Sequence, residues 1–195
     1  IPVEEGTGDI GLTPTFISAS GGTETTCGNF RIHTFTGPGT FTVSSLGNAP
    51  GGSNKVDYLV VAGGGAGSHE FSGGGAGGFR ESNPAPGSEW SGSPLASPGG
   101  ALPVTATGYP ITVGGGGAGS SNNGNNSVFS TITSAGGGAG TGVGGNPGGS
   151  GGGGAAESAN DPPTAIPNRQ GGSGNTPPVS PPQGQNGGDG ANCGS

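Results

Sequence analysis

The sequence has few of the charged and apolar residues that nucleic-acid binding or membrane insertion requires. Only 8% of its 195 residues are charged, and the basic residues are Arg31, Lys55, Arg80 and Arg169. So few scattered cations leave no electrostatic footprint for nucleic acid. No apolar stretch approaches the roughly 20 residues that a transmembrane helix needs. We therefore expect no nucleic-acid partner and no membrane insertion.

Strong helix-forming residues never cluster, and apolar residues are scarce. Hydrophobic residues make up 26% of the chain, whereas 52 glycines and 18 prolines account for more than a third of it. Such a composition without a Gly-X-Y period is typical of disorder, because ordering glycine costs about 0.5–1 kcal/mol more than ordering alanine. An ordered chain of this kind needs neighbouring glycine segments or neighbouring subunits to hold its glycines in place.

Apolar runs that open into glycine recur along the chain. Residues 56–62 lead into a glycine series, and residues 111–113 and 128–133 do the same further on. We predict a strand in each run. The run 56–62 is apolar at successive positions, so we expect both of its faces to be buried and the strand to be central in its sheet.

A hairpin is predicted near the start of the chain. Residues 30–36 and 40–43 are rich in β-branched and aromatic residues, and they flank the Gly-Pro-Gly connection at 37–39. Phe41 and Val43 are two residues apart, so they share one face of the second strand.

Beyond residue 135 the chain has almost no apolar side chains. Glycine dominates residues 136–154, and residues 160–167 and 177–182 are rich in proline. Both residue types adopt a left-handed threefold helix that rises about 3.1 Å per residue and has no internal hydrogen bonds. Bare glycine backbones can approach closely enough to bond to one another laterally. We predict a mainly β fold with short antiparallel strands, packed polyglycine-II helices and essentially no α-helix.

Composition divides the chain into four regions: an extended arm at 1–20, a hairpin and central strand at 21–62, a glycine-rich β domain at 63–135, and a packed glycine and proline segment at 136–195. The arm has isolated apolar residues at Ile10, Leu12, Phe16 and Ile17. Their spacing fits an extended segment that lies on its own domain or reaches into a neighbour.

The two cysteines, Cys27 and Cys193, lie near opposite ends of the chain. They are either unrelated thiols or a disulfide that ties the C-terminal segment to the first strands. On the chain-entropy model, a loop of that length stabilises by about 4–5 kcal/mol. Such a bond requires an oxidising, extracellular setting.

Two stretches of the sequence resemble motifs of enzymes, but each lacks a part that the motif requires. Residues 58–67 imitate the strand and turn of a dinucleotide-binding unit, but Ser68 replaces the third glycine and residues 68–75 cannot form the helix that holds the pyrophosphate. A G-x-S-x-G string at 148–152 is expected by chance within polyglycine. We predict no catalytic residue, no cofactor and no metal.

Large side chains stand out in the irregular stretch 68–108. Phe71, Phe79 and Trp90 lie there among serines and prolines, where they can cap a layer of strands or contact a partner. We list them as candidate surface-contact residues, although packing is an equally simple role for aromatic side chains.

An ordered series of motifs resembles a known family. It comprises residues 34–43, 56–65, 75–81, 109–114 and 126–132. This series is similar to the glycine-rich domain of phage tail fibres, adhesins and related virion proteins, over roughly residues 23–190. The resemblance implies a virion-surface protein that is structural or contacts a receptor, with polyglycine helices packed in layers and no catalytic residues.

We therefore expect a non-enzymatic structural protein of an extracellular fibre or virion appendage. One alternative is a self-polymerising filament subunit whose arm adds a strand to the next subunit. Another is a glycan-binding adhesin that acts alone. The expected partners are copies of the chain, other fibre or virion subunits, and a cell-surface glycan or protein receptor.

Overall fold

The computed structural model describes residue 13 and residues 15–48, 54–69, 72–84, 90–156 and 169–191. Within these residues the expected fold class is confirmed, because the chain forms short antiparallel strands and no helix. The strands are β1 (Ser18–Ser20), β2 (Thr23–Cys27), β3 (Phe30–Thr34), β4 (Gly39–Ser45), β5 (Lys55–Val56), β6 (Leu59–Val61), β7 (Phe79–Glu81), β8 (Leu102–Pro103), β9 (Gly108–Thr112), β10 (Ser127–Phe129) and β11 (Ile132–Ser134).

A five-stranded antiparallel sheet forms the base of the molecule, in the order β1-β4-β9-β10-β11. Three two-stranded pairs surround it: β2 with β3, β5 with β8, and β6 with β7. In β4, Phe41 and Val43 point inward between exposed neighbours, as their spacing predicts. The strand predicted at residues 111–113 is present as the end of β9, which stops at Thr112.

The hydrophobic core is small and lies on the inner face of the sheet. Its buried members are Phe41, Val43, Tyr58, Val60, Val104 and Phe129. The Phe129 ring lies edge-on to Phe41 and to Tyr109, with ring centroids 5.9 and 6.1 Å apart. This edge-to-face geometry is the one that the charge distribution of aromatic rings favours.

The predicted hairpin over residues 30–43 is wrong. β3 pairs with β2, and β4 pairs with β1 and β9. The β2–β3 connection is the two-residue loop Gly28-Asn29, where Gly28 has a φ of 55°. A two-residue loop whose first residue is a glycine at positive φ matches the twist of paired strands. The hairpin therefore forms between β2 and β3, before β4 begins. β4 is then free to bury Phe41 and Val43 in the main sheet.

The run 56–62 is not a central strand. It is divided between β5 and β6, and β6 lies in a two-stranded pair where Leu59 and Val61 are 62% and 51% exposed. The break falls at Tyr58, whose N–H donates to Ser82 Oγ at 3.1 Å. A side chain takes this donor, and the two halves of the run pair with different partners, β8 and β7.

The run 128–133 is also not a single strand. It reverses at Ser130, whose φ is 52°, and forms the antiparallel hairpin of β10 and β11. A non-glycine residue at positive φ carries no strong sequence signal. The apolar and β-branched residues on both sides of Ser130 therefore predicted one continuous strand.

Burial in this core decides how much one valine contributes to stability. We expect Val43→Ala to lower the free energy of unfolding by about 2–3 kcal/mol, from the two lost methyl groups and the cavity that they leave. Val61→Ala makes the same chemical change on an exposed face of β6, so it is the matched control. Chemical denaturation measures both, and equal losses would contradict the assigned core.

Candidate functional site

Glycine segments outside the sheets bond to one another through the main chain. They are residues 62–68, 72–78, 114–118, 122–126, 135–140, 145–154, 169–175 and 184–190. We call this set the glycine lattice. It extends from the ends of the strands, since β6 leads into the first segment, β9 into the third and β11 into the fifth.

The lattice bonds recur at every third residue. Segment 62–68 donates antiparallel to segment 72–78: Ala62 to Gly78 at 3.1 Å, Gly65 to Gly75 at 2.8 Å and Ser68 to Ser72 at 3.0 Å. The same step joins 72–78 to 135–140: Gly75 donates to Gly138 and Gly78 to Ala135, both at 2.7 Å. A β-strand repeats every two residues, whereas a polyglycine-type helix repeats every three. The lateral bonding that the composition predicts is present, and the left-handed form of the segments stays a prediction.

One lattice segment bonds to several neighbours, which a sheet strand cannot do. Besides 72–78, segment 62–68 bonds to three others: Gly63 donates to Asn125 at 3.1 Å and accepts from Gly137 at 2.8 Å, and Gly64 accepts from Gly117 at 2.9 Å. A strand bonds on two sides only, because its polar groups alternate in one plane. A threefold repeat turns these groups in three directions and builds an array in two dimensions.

Close approach explains why the lattice needs glycine. A Cβ atom on Gly65 would overlap the carbonyl of Gly138, and one on Gly138 would overlap the carbonyl of Asn146. At Gly64 the nearest atom to such a Cβ, the carbonyl oxygen of Gly75, is 3.5 Å away, which is ordinary contact. Glycine is thus required at some lattice positions and replaceable at others.

Asparagine side chains at the same three-residue step complete one edge of the lattice. Asn126 Oδ1 accepts from the N–H of Gly136, and Asn123 Oδ1 accepts from the N–H of Ala139, both at 2.9 Å. Each side-chain oxygen takes the place of a main-chain carbonyl, so these buried or partly buried donors stay satisfied.

A second pair repeats this device in the last segment. Asn186 Oδ1 accepts from Gly174 at 2.9 Å, and Asp189 Oδ1 accepts from Gly171 at 2.8 Å. Sequence reasoning missed both pairs. Their signal is an Asn or Asp recurring at i and i+3 inside a glycine tract.

Gln183 fastens the C-terminal segments to the sheet. Its side chain is 2% exposed, accepts from the N–H of Ala135 at 2.8 Å and donates to the carbonyl of Pro177 at 2.8 Å. Its own carbonyl accepts from Phe79 N at 2.9 Å. A buried amide with its groups satisfied holds these three parts of the chain together.

The predicted arm residues fall on both sides of the described boundary. Ile10 and Leu12 lie outside the described residues. Ile17 is partly buried against the core, whereas Phe16 is 76% exposed. The described end of the arm therefore lies on its own domain through the pairing of β1 with β4.

The predicted surface-contact residues are not brought together. Phe79 is partly buried on β7, Trp90 is partly buried in an irregular segment, and Phe71 lies outside the described residues. The rest of the chain therefore covers part of the Phe79 and Trp90 side chains.

Of the two alternatives for the cysteines, the disulfide is not supported. Cys27 is exposed at the end of β2 and has a free thiol. Cys193 lies outside the described residues.

His33 lies on β3 and contacts the main chain and an aromatic ring. His33 Nδ1 lies 2.9 Å from the carbonyl of Gly21, and its ring packs edge-on against Phe41 at 5.2 Å, which is a structural role. No group of three acidic, histidine or cysteine side chains in the described ranges is placed to hold a metal ion. Among the same residues, no helix has the length and apolar character to span a bilayer.

Comparison with known proteins gives one match. A family model described as a glycine-rich domain matches residues 36–195, which include all of the lattice. No curated protein and no solved structure matches the chain.

Close packing at Gly65 is testable against its neighbour in sequence. We expect Gly65→Ala to lower the free energy of unfolding by about 3 kcal/mol, because the methyl group would force two bonded segments apart. Gly64→Ala has room and should stay within about 1 kcal/mol of the parent. Thermal or denaturant unfolding measures both. Similar values for the two variants would show that the segments are not packed this closely.

The Gln183 contacts make a separate prediction. Gln183→Met keeps the length of the side chain but leaves the N–H of Ala135 and the carbonyl of Pro177 unpaired, so we expect a loss of about 2–4 kcal/mol. The control is Gln185→Met, where the parent side chain is exposed. Amide hydrogen exchange at Ala135 should accelerate in the first variant only. An unchanged exchange rate at Ala135 would contradict the hydrogen bond between Gln183 and Ala135.

Proposed function

Because the chain belongs to the glycine-rich domain family, we propose that it is a non-enzymatic structural protein of an extracellular fibre or virion appendage. The observation that carries this proposal is the glycine lattice, in which main-chain bonds join segments in several directions. The resemblance of the motif series to the glycine-rich domain of tail fibres and adhesins supports the finer assignment to a virion appendage.

The lattice has the physical properties of a building material. Each net hydrogen bond contributes about 0.5–1.5 kcal/mol, and the bonds are spread over the glycine segments and not collected in one core. Backbone that is bonded to neighbours on several sides is also poorly accessible to proteases, which cleave locally unfolded chain. These properties suit a part that must keep its shape outside a cell.

The surface chemistry fits the same role. The net charge is −7 at pH 7 with only 8% charged residues, so the surface is weakly acidic and contains few groups that recognise a charged ligand. A net charge away from zero keeps such a protein soluble before assembly.

An adhesin that acts alone has less support. Sugar rings stack on exposed aromatic faces, whereas Phe79 and Trp90, two of the candidate surface-contact residues, are both partly buried. The irregular segment that begins after β7 stays the candidate for surface contact.

Gold labelling tests the proposal directly. Antibodies raised against the folded chain are applied to virions, culture medium and sectioned cells from the source of the protein. We expect gold particles on fibres or on virion surfaces. The control is the same antibody absorbed beforehand with the purified chain, which should remove the label. Label confined to the cell interior would contradict the proposal.

A further inference from the structure

An open groove of about 450 Å³ lies between the start of β1 and the end of the β2–β3 hairpin. Its lining residues are Phe16, Ile17, Ser18, Thr26, Gly28, Asn29, Phe30 and Arg31. The volume lies within the range of cavities that bind ligands, about 300–1,000 Å³. Phe16 and Phe30 are 76% and 37% exposed, so the groove presents apolar surface to solvent.

The wall of the groove is poorly supported by the rest of the chain. All side chains of β2 are exposed, and β3 has one partly buried residue. A two-stranded hairpin by itself is marginally stable in water. Ile32 on β3 adds further exposed apolar surface, at 43%. Within the described residues nothing covers this surface, which is typical of an interaction site.

The edge strand of the main sheet lies beside the groove. β1 is the first strand of the five, and no strand occupies its other side in the described part of the chain. Ser18, its first residue, also lines the groove. An open edge next to an apolar groove suits an added extended segment, since the edge bonds its main chain and the groove takes alternate side chains.

Residues 1–12 of this chain have the chemistry of such a segment. Ile10 and Leu12 are two residues apart, so an extended strand would place both on one face. The acidic residues Glu4, Glu5 and Asp9 precede them, and the segment has no basic residue. Arg31 in the groove wall forms an ion pair with Glu24 at 3.2 Å, but its side chain is 55% exposed, so it can also face an acidic segment in the groove.

The direction of β1 favours a second copy as the source of the segment. Thr15 N donates to Asn48 Oδ1 at 2.7 Å, and Asn48 N donates to the carbonyl of Thr15 at 3.1 Å, so the pairing of β1 with its neighbour continues back to Thr15. Pro14 favours an extended backbone at Thr13. To fill a groove lined by residues 16–18, the arm of the same chain would have to reverse within these few residues.

We propose that residues 9–12 of one copy add to the β1 edge of the next and place Ile10 and Leu12 in its groove. The donated segment and the groove are different surfaces, so the contact repeats head to tail and leads to an open chain of subunits. This proposal names a partner for the structural protein proposed above. Its failure would leave the gold-labelling result unaffected.

Complementary variants test the proposal with the full-length chain. The arm variant combines Ile10→Asp with Leu12→Asp, and the groove variant is Phe30→Asp. Light scattering over a range of concentrations should show growing assemblies for the parent chain. Either variant should associate at least tenfold more weakly, because a charge replaces an apolar side chain that the proposed contact would bury. Val143→Asp makes the same kind of change at an exposed residue outside the groove, and it should assemble like the parent.

Mixing the two variants gives the decisive result. One intact arm and one intact groove remain in each pair, so equal amounts should form dimers and nothing larger. A mixture that stays monomeric, or an arm variant that assembles like the parent, would overturn the proposal. A parent chain that is monomeric at every concentration, but loses stability when Ile10 is changed, would place the arm in its own groove and also overturn it. If Phe30→Asp does not fold by circular dichroism, Phe16→Asp replaces it, because Phe16 is 76% exposed.

Discussion

Lateral hydrogen bonds between bare main chains are the interaction on which the structure depends. They require neighbouring backbones to approach more closely than side chains permit, and only glycine meets this condition at positions such as Gly65 and Gly138. Ordering glycine is entropically unfavourable, so a single segment of this kind has no stability alone. Many segments that bond to one another in several directions offset this cost together.

The strands and the lattice stabilise the fold in different ways: the strands through a hydrophobic core, and the lattice through main-chain hydrogen bonds. The small core around Phe41, Val43 and Phe129 fixes the base sheet, and strands leaving that base set the starting position of several glycine segments. Gln183 then joins the C-terminal part to the strand end at Ala135. A chain with few apolar residues thus uses its side chains to start the lattice and its main chain to extend it.

The use of polar side chains as hydrogen-bond partners of the lattice bears on function. Polar side chains such as Asn123 and Asn126 accept hydrogen bonds from lattice N–H groups. Their role is to complete the main-chain hydrogen bonding of the lattice. The exposed apolar residues of the described chain include Phe16, Phe30 and Ile32 near the open edge of the base sheet. The edge of the base sheet at β1 therefore lies beside exposed apolar side chains, which fits the structural role proposed above.

Composition and spacing predicted much of the fold from the sequence alone. Scarce helix formers predicted a β protein, the alternation of Phe41 and Val43 predicted the buried face of β4, and the glycine tracts predicted lateral main-chain bonding. These features are local, because each depends on residue type and on a short repeat. The same local patterns were misleading at residues 30–43 and 128–133, where a turn at Gly28-Asn29 or Ser130 changed the pairing.

By itself, then, the sequence determined that backbone would replace side chains as the main packing element, since so many glycines allow little else. Tertiary structure decided which segments are neighbours, which glycines tolerate a methyl group, and where Gln183 and the paired Asn and Asp residues find their partners. Those outcomes depend on contacts between residues far apart in the chain. A glycine tract has the same local pattern at every position, so nothing within it specifies its partner.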